Sequence, residues 1–172
     1  MQKVLGAVFV ITGFLGMGYF YIDREKEKIK FIDMWDNVLS MFINEIAYKK
    51  QSLTFATYEI GQKMEGKVGQ RFQKVHQRMT DQNREGFAEI WKEEWQNYIK
   101  NNKNYQKERK LIEEFAYLTG FEDEEVMIKM IEEQQRKWRS LRTEVMEGQQ
   151  ERKKMVWTLS ICFSLMLILI LL

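Results

Sequence analysis

The feature that most constrains this chain is its last stretch, Met155 to Leu172, MVWTLSICFSLMLILILL, which holds no charge, no Gly and no Pro. A helix of about 18 such residues covers about 27 Å, close to the ~30 Å hydrocarbon core of a bilayer. The competing reading is a buried core helix, but a core helix rarely stays apolar on every face for this long. A second uncharged run, Val4 to Ile22, follows Lys3. The sequence therefore predicts an N-terminal transmembrane helix over 1–22, a polar insert over 23–154 and a C-terminal transmembrane helix over 155–172.

A cleaved leader is the rival for the first run. The run is long for the apolar part of a leader, and Asp23-Arg24-Glu25-Lys26 follows it where small residues would mark a cleavage site. An uncleaved anchor is the better reading. Gly6, Gly13 and Gly16 in the first run, and the small-xxx-small pair Ser160 and Ser164 in the second, would let helices approach closely in lipid. Arg24, Lys26, Lys28 and Lys30 follow the first run and Arg152, Lys153 and Lys154 precede the second. By the positive-inside rule the insert is expected in the cytoplasm, with both termini at the outer face of the membrane. A conducting pore is a poor reading, because neither run carries a polar stripe or an ionisable group.

The mean hydropathy of −0.47 averages two apolar ends with a very polar centre. Of the 27 Lys and Arg all but Lys3 lie in the centre, as do all 25 Asp and Glu, so its formal charge is 26 − 25 = +1. Nucleic acid is not expected as a partner, since phosphate binding wants a basic excess. With no proline and a centre rich in Lys, Glu, Gln and Met, the expected fold class is all-α, a helical bundle of about five to six helices.

Within the insert, Phe31, Trp35, Val38, Leu39, Phe42 and Ile46 recur at helical spacing over about Arg24 to Lys50. Ser52 reads as the cap of a short helix reaching Lys63, with Phe55, Tyr58 and Ile60 apolar. Gly66 and Gly69 punctuate before a helix near Gln70 to Met79. Phe87, Ile90, Trp91, Trp95, Tyr98 and Ile99 mark the next stripe, and Asn101 to Asn104 a turn. Tyr105 to Thr119 reads as a helix ended by Gly120, and Asp123 as the cap of the last helix. There Met127, Ile131, Gln134, Trp138, Leu141 and Val145 alternate in steps of four and three, a coiled-coil-like seam. Without a proline from Asp123 to Leu172, this helix can run unbroken into the membrane.

Little in the chain resembles a catalytic constellation. Gly61 to Val68 imitates a phosphate-binding loop, but Val68 stands where a hydroxyl must reach magnesium and no strand precedes it. His76 is the only histidine, so a carboxylate di-metal bundle lacks its second Glu-x-x-His. The single cysteine, Cys162, excludes an intrachain disulfide and a Cys-based zinc site. No catalytic residue, cofactor or metal is expected, and the chain reads as a non-enzyme.

Several short motifs in order, MQKVLGAVFV at the start, Asn44-Glu45-Ile46-Ala47-Tyr48 followed by Leu53, the Trp91 region, Thr119-Gly120-Phe121-Glu122-Asp123 and the leucine-rich end, resemble the stage III sporulation protein AB family over the whole chain. The chain departs from the pattern with Ser52 where the family has Pro, Thr119 before Gly120 where it often has Leu, Met127 where a Gln is expected, and Ser160 and Ser164 where glycines are. The family's soluble part is similar to the cytoplasmic domain of the type II secretion and type IV pilus platform protein. The resemblance implies a mother-cell membrane component of the channel joining mother cell and forespore, docking the stage III sporulation protein AA ATPase and meeting other channel subunits. By the same match Glu45 and Tyr48 are the candidate partner-binding residues. The alternative reading is a self-associating membrane scaffold or sensor, a homo-oligomer whose Met127 to Val145 seam forms an intermolecular coiled coil.

Overall fold

The computed structural model describes residues 26–81, 86–99, 105–118 and 123–171, without the side chains of 97, 99, 118, 160, 161, 163–165 and 167–171. The first uncharged run with Gly6, Gly13 and Gly16, the Asn101 to Asn104 turn, the Gly120 cap and the side chains of Ser160 and Ser164 all lie outside the described residues. Among the described residues every regular element is helical. Helix α1 covers residues 26–43 and widens into a π-helical turn at Asn44–Tyr48. Then come α2 (Leu53–Lys63), α3 (Gly66–Thr80), α4 (Phe87–Ile99), α5 (Gln106–Leu118) and α6 (Glu124–Leu171).

Residues Ile32–Leu141 form one compact unit, inside the 23–154 insert expected from charge. Of the predicted α1 stripe, Trp35, Val38, Leu39, Phe42 and Ile46 are buried in its core, while Phe31 is half-buried and its neighbour Ile32 takes the inward place. Four tryptophans converge there. Trp35 stacks on Trp138 with ring centroids 5.6 Å apart and planes 11° apart, and meets Trp95 edge-on at 4.8 Å. Trp91 packs on Phe115 at 4.8 Å and donates its indole N–H to the Ile112 carbonyl at 2.8 Å. Such rings bring large apolar area, and the tilted and edge-on pairings suit their quadrupoles.

Local chemistry explains the boundaries. Ser52 caps α2 by accepting the Phe55 N–H at 3.3 Å, so the hydroxyl serves where the family pattern has proline. Asp123 caps α6 by accepting the Glu125 N–H at 2.9 Å. Gly66 opens α3 at φ +68, a left-handed conformation that only glycine adopts without cost. Gly69, inside α3, lies so close to the end of α2 that a Cβ there would stand 1.9 Å from the Met64 carbonyl oxygen. The phosphate-loop mimic is thus a tight link between two helices.

The apolar residues of α2 divide: Ile60 turns inward with Ala56, Thr57 and Gly61, while Phe55 and Tyr58 are 40% and 38% exposed. Small residues win because α2 and α3 pack too closely for aromatic rings between them. The middle of the α6 seam turns into the unit itself, while Met127 and Val145 at its ends are half-buried. Ile131, Gln134, Trp138 and Leu141 are buried inside the unit, with Trp138 against Trp35. Gln134, the polar seam position, donates to the Leu111 carbonyl of α5 at 2.5 Å. An intermolecular coiled coil through these four positions would have to undo these contacts.

In the flanking unit, α6 continues from Arg142 to 171, and residues 151–159 are all exposed. Among the described residues no helix is long and apolar enough to cross a membrane; most side chains of the second uncharged run are not among them.

Candidate functional site

The family-matched motif Asn44 to Tyr48 forms the π-turn that ends α1. A π-turn holds one residue more than an α-turn, and such bulges often mark functional sites. Here the Lys49 N–H bonds to the Asn44 carbonyl at 3.2 Å, and the Gln51 N–H to the Glu45 carbonyl at 2.9 Å. Lys50 then adopts φ 55, a left-handed residue that stops the helix without a glycine. Its ammonium pairs with Glu124, at the start of α6, at 2.6 Å.

The wide turn sends its two candidate residues in opposite directions. Glu45, expected on the surface, is fully buried, whereas Tyr48 is 80% exposed. The expectation for Glu45 as a residue presented to a partner is therefore corrected: its carboxylate is enclosed. Its Oε1 accepts from Lys49 Nζ, one turn on, and from Lys63 Nζ at the end of α2, each at 2.9 Å. Lys63 also lies 3.6 Å from Glu59. Glu45 Oε2 has no hydrogen-bond partner among the described residues. Burial by itself would raise the Glu45 carboxyl, but hydrogen bonds and charge from Lys49 and Lys63 outweigh it and hold the group below the usual carboxylate range. The hydrogen bond to Glu45 in turn pushes Lys63 up, against the smaller effect of its own burial. Glu45 thus ties the π-turn to α2, and Tyr48 with the half-exposed ammonium groups of Lys49 and Lys63 forms the outer face of the corner.

Sequence reasoning did not find Lys49 and Lys63. The i, i+4 spacing from Glu45 to Lys49 was a legible signal. Lys63 is 18 residues from Glu45 in sequence and meets it only through the α2 packing.

Elsewhere, His76 is half-buried on α3, with Nδ1 3.0 Å from the Thr54 carbonyl and its ring 5.1 Å from Tyr58. A carbonyl only accepts, so Nδ1 carries the proton and donates. Arg78 clamps α3 to α4 through Glu93 at 2.8 Å and Glu94 at 3.3 Å. Among the described residues no group of His, Cys, Asp and Glu is placed to hold a metal ion.

The stage III sporulation protein AB family model matches residues 3–172. Comparison with curated proteins and with solved structures finds no match. A family match over essentially the whole chain, joined to an all-helical fold whose motif forms a defined corner, leads to one conclusion: the chain belongs to the stage III sporulation protein AB family, which ties it to sporulation.

Proposed function

We propose that this protein is a non-enzymatic platform subunit of the mother cell–forespore channel, anchored in the mother-cell membrane by both ends and docking a secretion-type ATPase in the cytoplasm. The observation that carries the docking half is Tyr48. A tyrosine that is 80% exposed gains nothing from the protein's own core, yet it sits on a turn pinned in place by a buried ion pair. Exposed tyrosines on rigid supports are favoured at interfaces, since ring area is offered with little ordering cost. The membrane half rests on the two uncharged runs and their basic flanks. Helix α6, Glu124–Leu171, is the element by which a docked motor would act on the membrane end of the chain.

The test is capture of the stage III sporulation protein AA ATPase by the full-length protein in detergent micelles. Tyr48→Ala is expected to weaken capture about tenfold or more, the scale of an interface hot spot, with the fold unchanged by circular dichroism. Capture that is unaffected by Tyr48→Ala and by Lys49→Glu would remove this corner as the dock.

A further inference from the structure

Outside the docking corner, the most distinctive surface is the stretch of α6 from 151 to 159, where every side chain is exposed. Glu151 is the last acidic residue of the chain. Arg152, Lys153 and Lys154 follow it and lead directly into the uncharged run. The next exposed side chains are apolar: Met155 is 61% exposed, Trp157 72% and Leu159 55%. The ammonium groups of Lys153 and Lys154 have no carboxylate partner among the described residues. Thr158, the polar residue within this apolar stretch, donates its hydroxyl to the Lys154 carbonyl at 2.9 Å, which satisfies its one donor within the helix.

Helical spacing arranges these groups vertically. Trp157 lies four residues beyond Lys153, so the two share one face, about 6 Å apart along the axis. Helical side chains lean toward the N-terminus, so the ammonium groups and the indole alike tip away from the uncharged run. Lysine supplies a mobile point charge with three donors, and tryptophan an apolar body with a single N–H donor. We propose that Lys153, Lys154 and Trp157 form a headgroup site for anionic phospholipid. The lysines meet the phosphate, the indole N–H reaches an ester or phosphate oxygen, and the ring with Met155 and Leu159 lies among the first acyl carbons. Free phosphate offers the same anion but nothing to cover the exposed apolar side chains, which is why the occupant is a lipid. The inference rests on the membrane reading above.

The experiment uses the full-length protein reconstituted into phosphatidylcholine vesicles with and without phosphatidylglycerol. Alkaline extraction reports insertion, and native mass spectrometry after gentle solubilisation reports the lipid retained. Phosphatidylglycerol is expected to be retained at about three times its bulk share or more, falling as salt is raised. Lys153→Gln/Lys154→Gln is expected to return it to the bulk share, and Trp157→Ala to lower it while insertion persists. Insertion with retention at the bulk share, or enrichment untouched by the lysine pair, overturns the lipid site and leaves the membrane reading standing. Equal competition by inorganic phosphate overturns it too, because recognition would then stop at the anion. Complete release by alkali from both kinds of vesicle overturns the membrane reading and the site together.

Discussion

Glu45 offers the sharpest test of how this fold is held. Its side chain has no exposed surface, while the side chains of Lys49 and Lys63 are 46% and 42% exposed. Removing one lysine, as in Lys63→Met, leaves the carboxylate its second partner at 2.9 Å. That loss is expected to cost about 1 kcal/mol, because the departing ammonium was half solvated. Removing both leaves a buried, unpaired charge, and the cost rises to about 3 kcal/mol, the lower end for a broken buried pair. The single losses therefore do not add: the cycle carries about 1 kcal/mol of coupling or more. Urea unfolding of the full-length protein followed by tryptophan fluorescence measures this directly. The pH dependence supplies a second readout with opposite signs. In the native protein Glu45 is held below its ordinary 4.5, so its contribution is present above that value and is lost as pH falls through the lowered value. In Lys49→Met/Lys63→Met only desolvation remains, which raises the carboxyl, so the penalty of the double variant shrinks as the medium is acidified. Lys63, raised from 10.5 by Glu45, contributes below that value and loses its share as pH rises through the raised one. Strict additivity, together with a penalty that does not change with acidification, would refute the enclosed carboxylate.

Other expected outcomes follow from single contacts. Trp138→Ala empties the place opposite Trp35 and should cost about 3–5 kcal/mol in the same unfolding assay. Gly69→Ala places a methyl 1.9 Å from the Met64 carbonyl oxygen and forces α2 and α3 apart, a loss of about 1–3 kcal/mol by thermal unfolding. Ser52→Ala should cost about 1 kcal/mol by removing the acceptor for the Phe55 N–H, and Ser52→Asp should restore most of it. Inserting two glycines at Gly148 should abolish sporulation while membrane insertion survives; full sporulation of that variant would argue against force passing along α6.

What was legible in the sequence was what local chemistry dictates. The α1 stripe, the Ser52 and Asp123 caps, and the separate helices around Trp91 and Phe115 follow from periodicity and side-chain hydrogen bonding within a few residues. The α6 seam was legible as an apolar face, but its partner was not. A 4–3 repeat states that a face must be covered and does not say whether a neighbouring helix or a second chain covers it. Trp35 and the Leu111 carbonyl decide that, and both are distant in sequence. The same division holds at the π-turn corner. The motif Asn44 to Tyr48 stands out in the sequence, but helical numbering from α1 cannot give the direction of its side chains, because the π-turn adds a residue and shifts the register. By itself the sequence determined helical class, caps, charge balance and the two uncharged ends. Only the tertiary structure decided that Glu45 points inward and Tyr48 outward, because Lys63, the partner that makes burial of the carboxylate tolerable, arrives on a different helix.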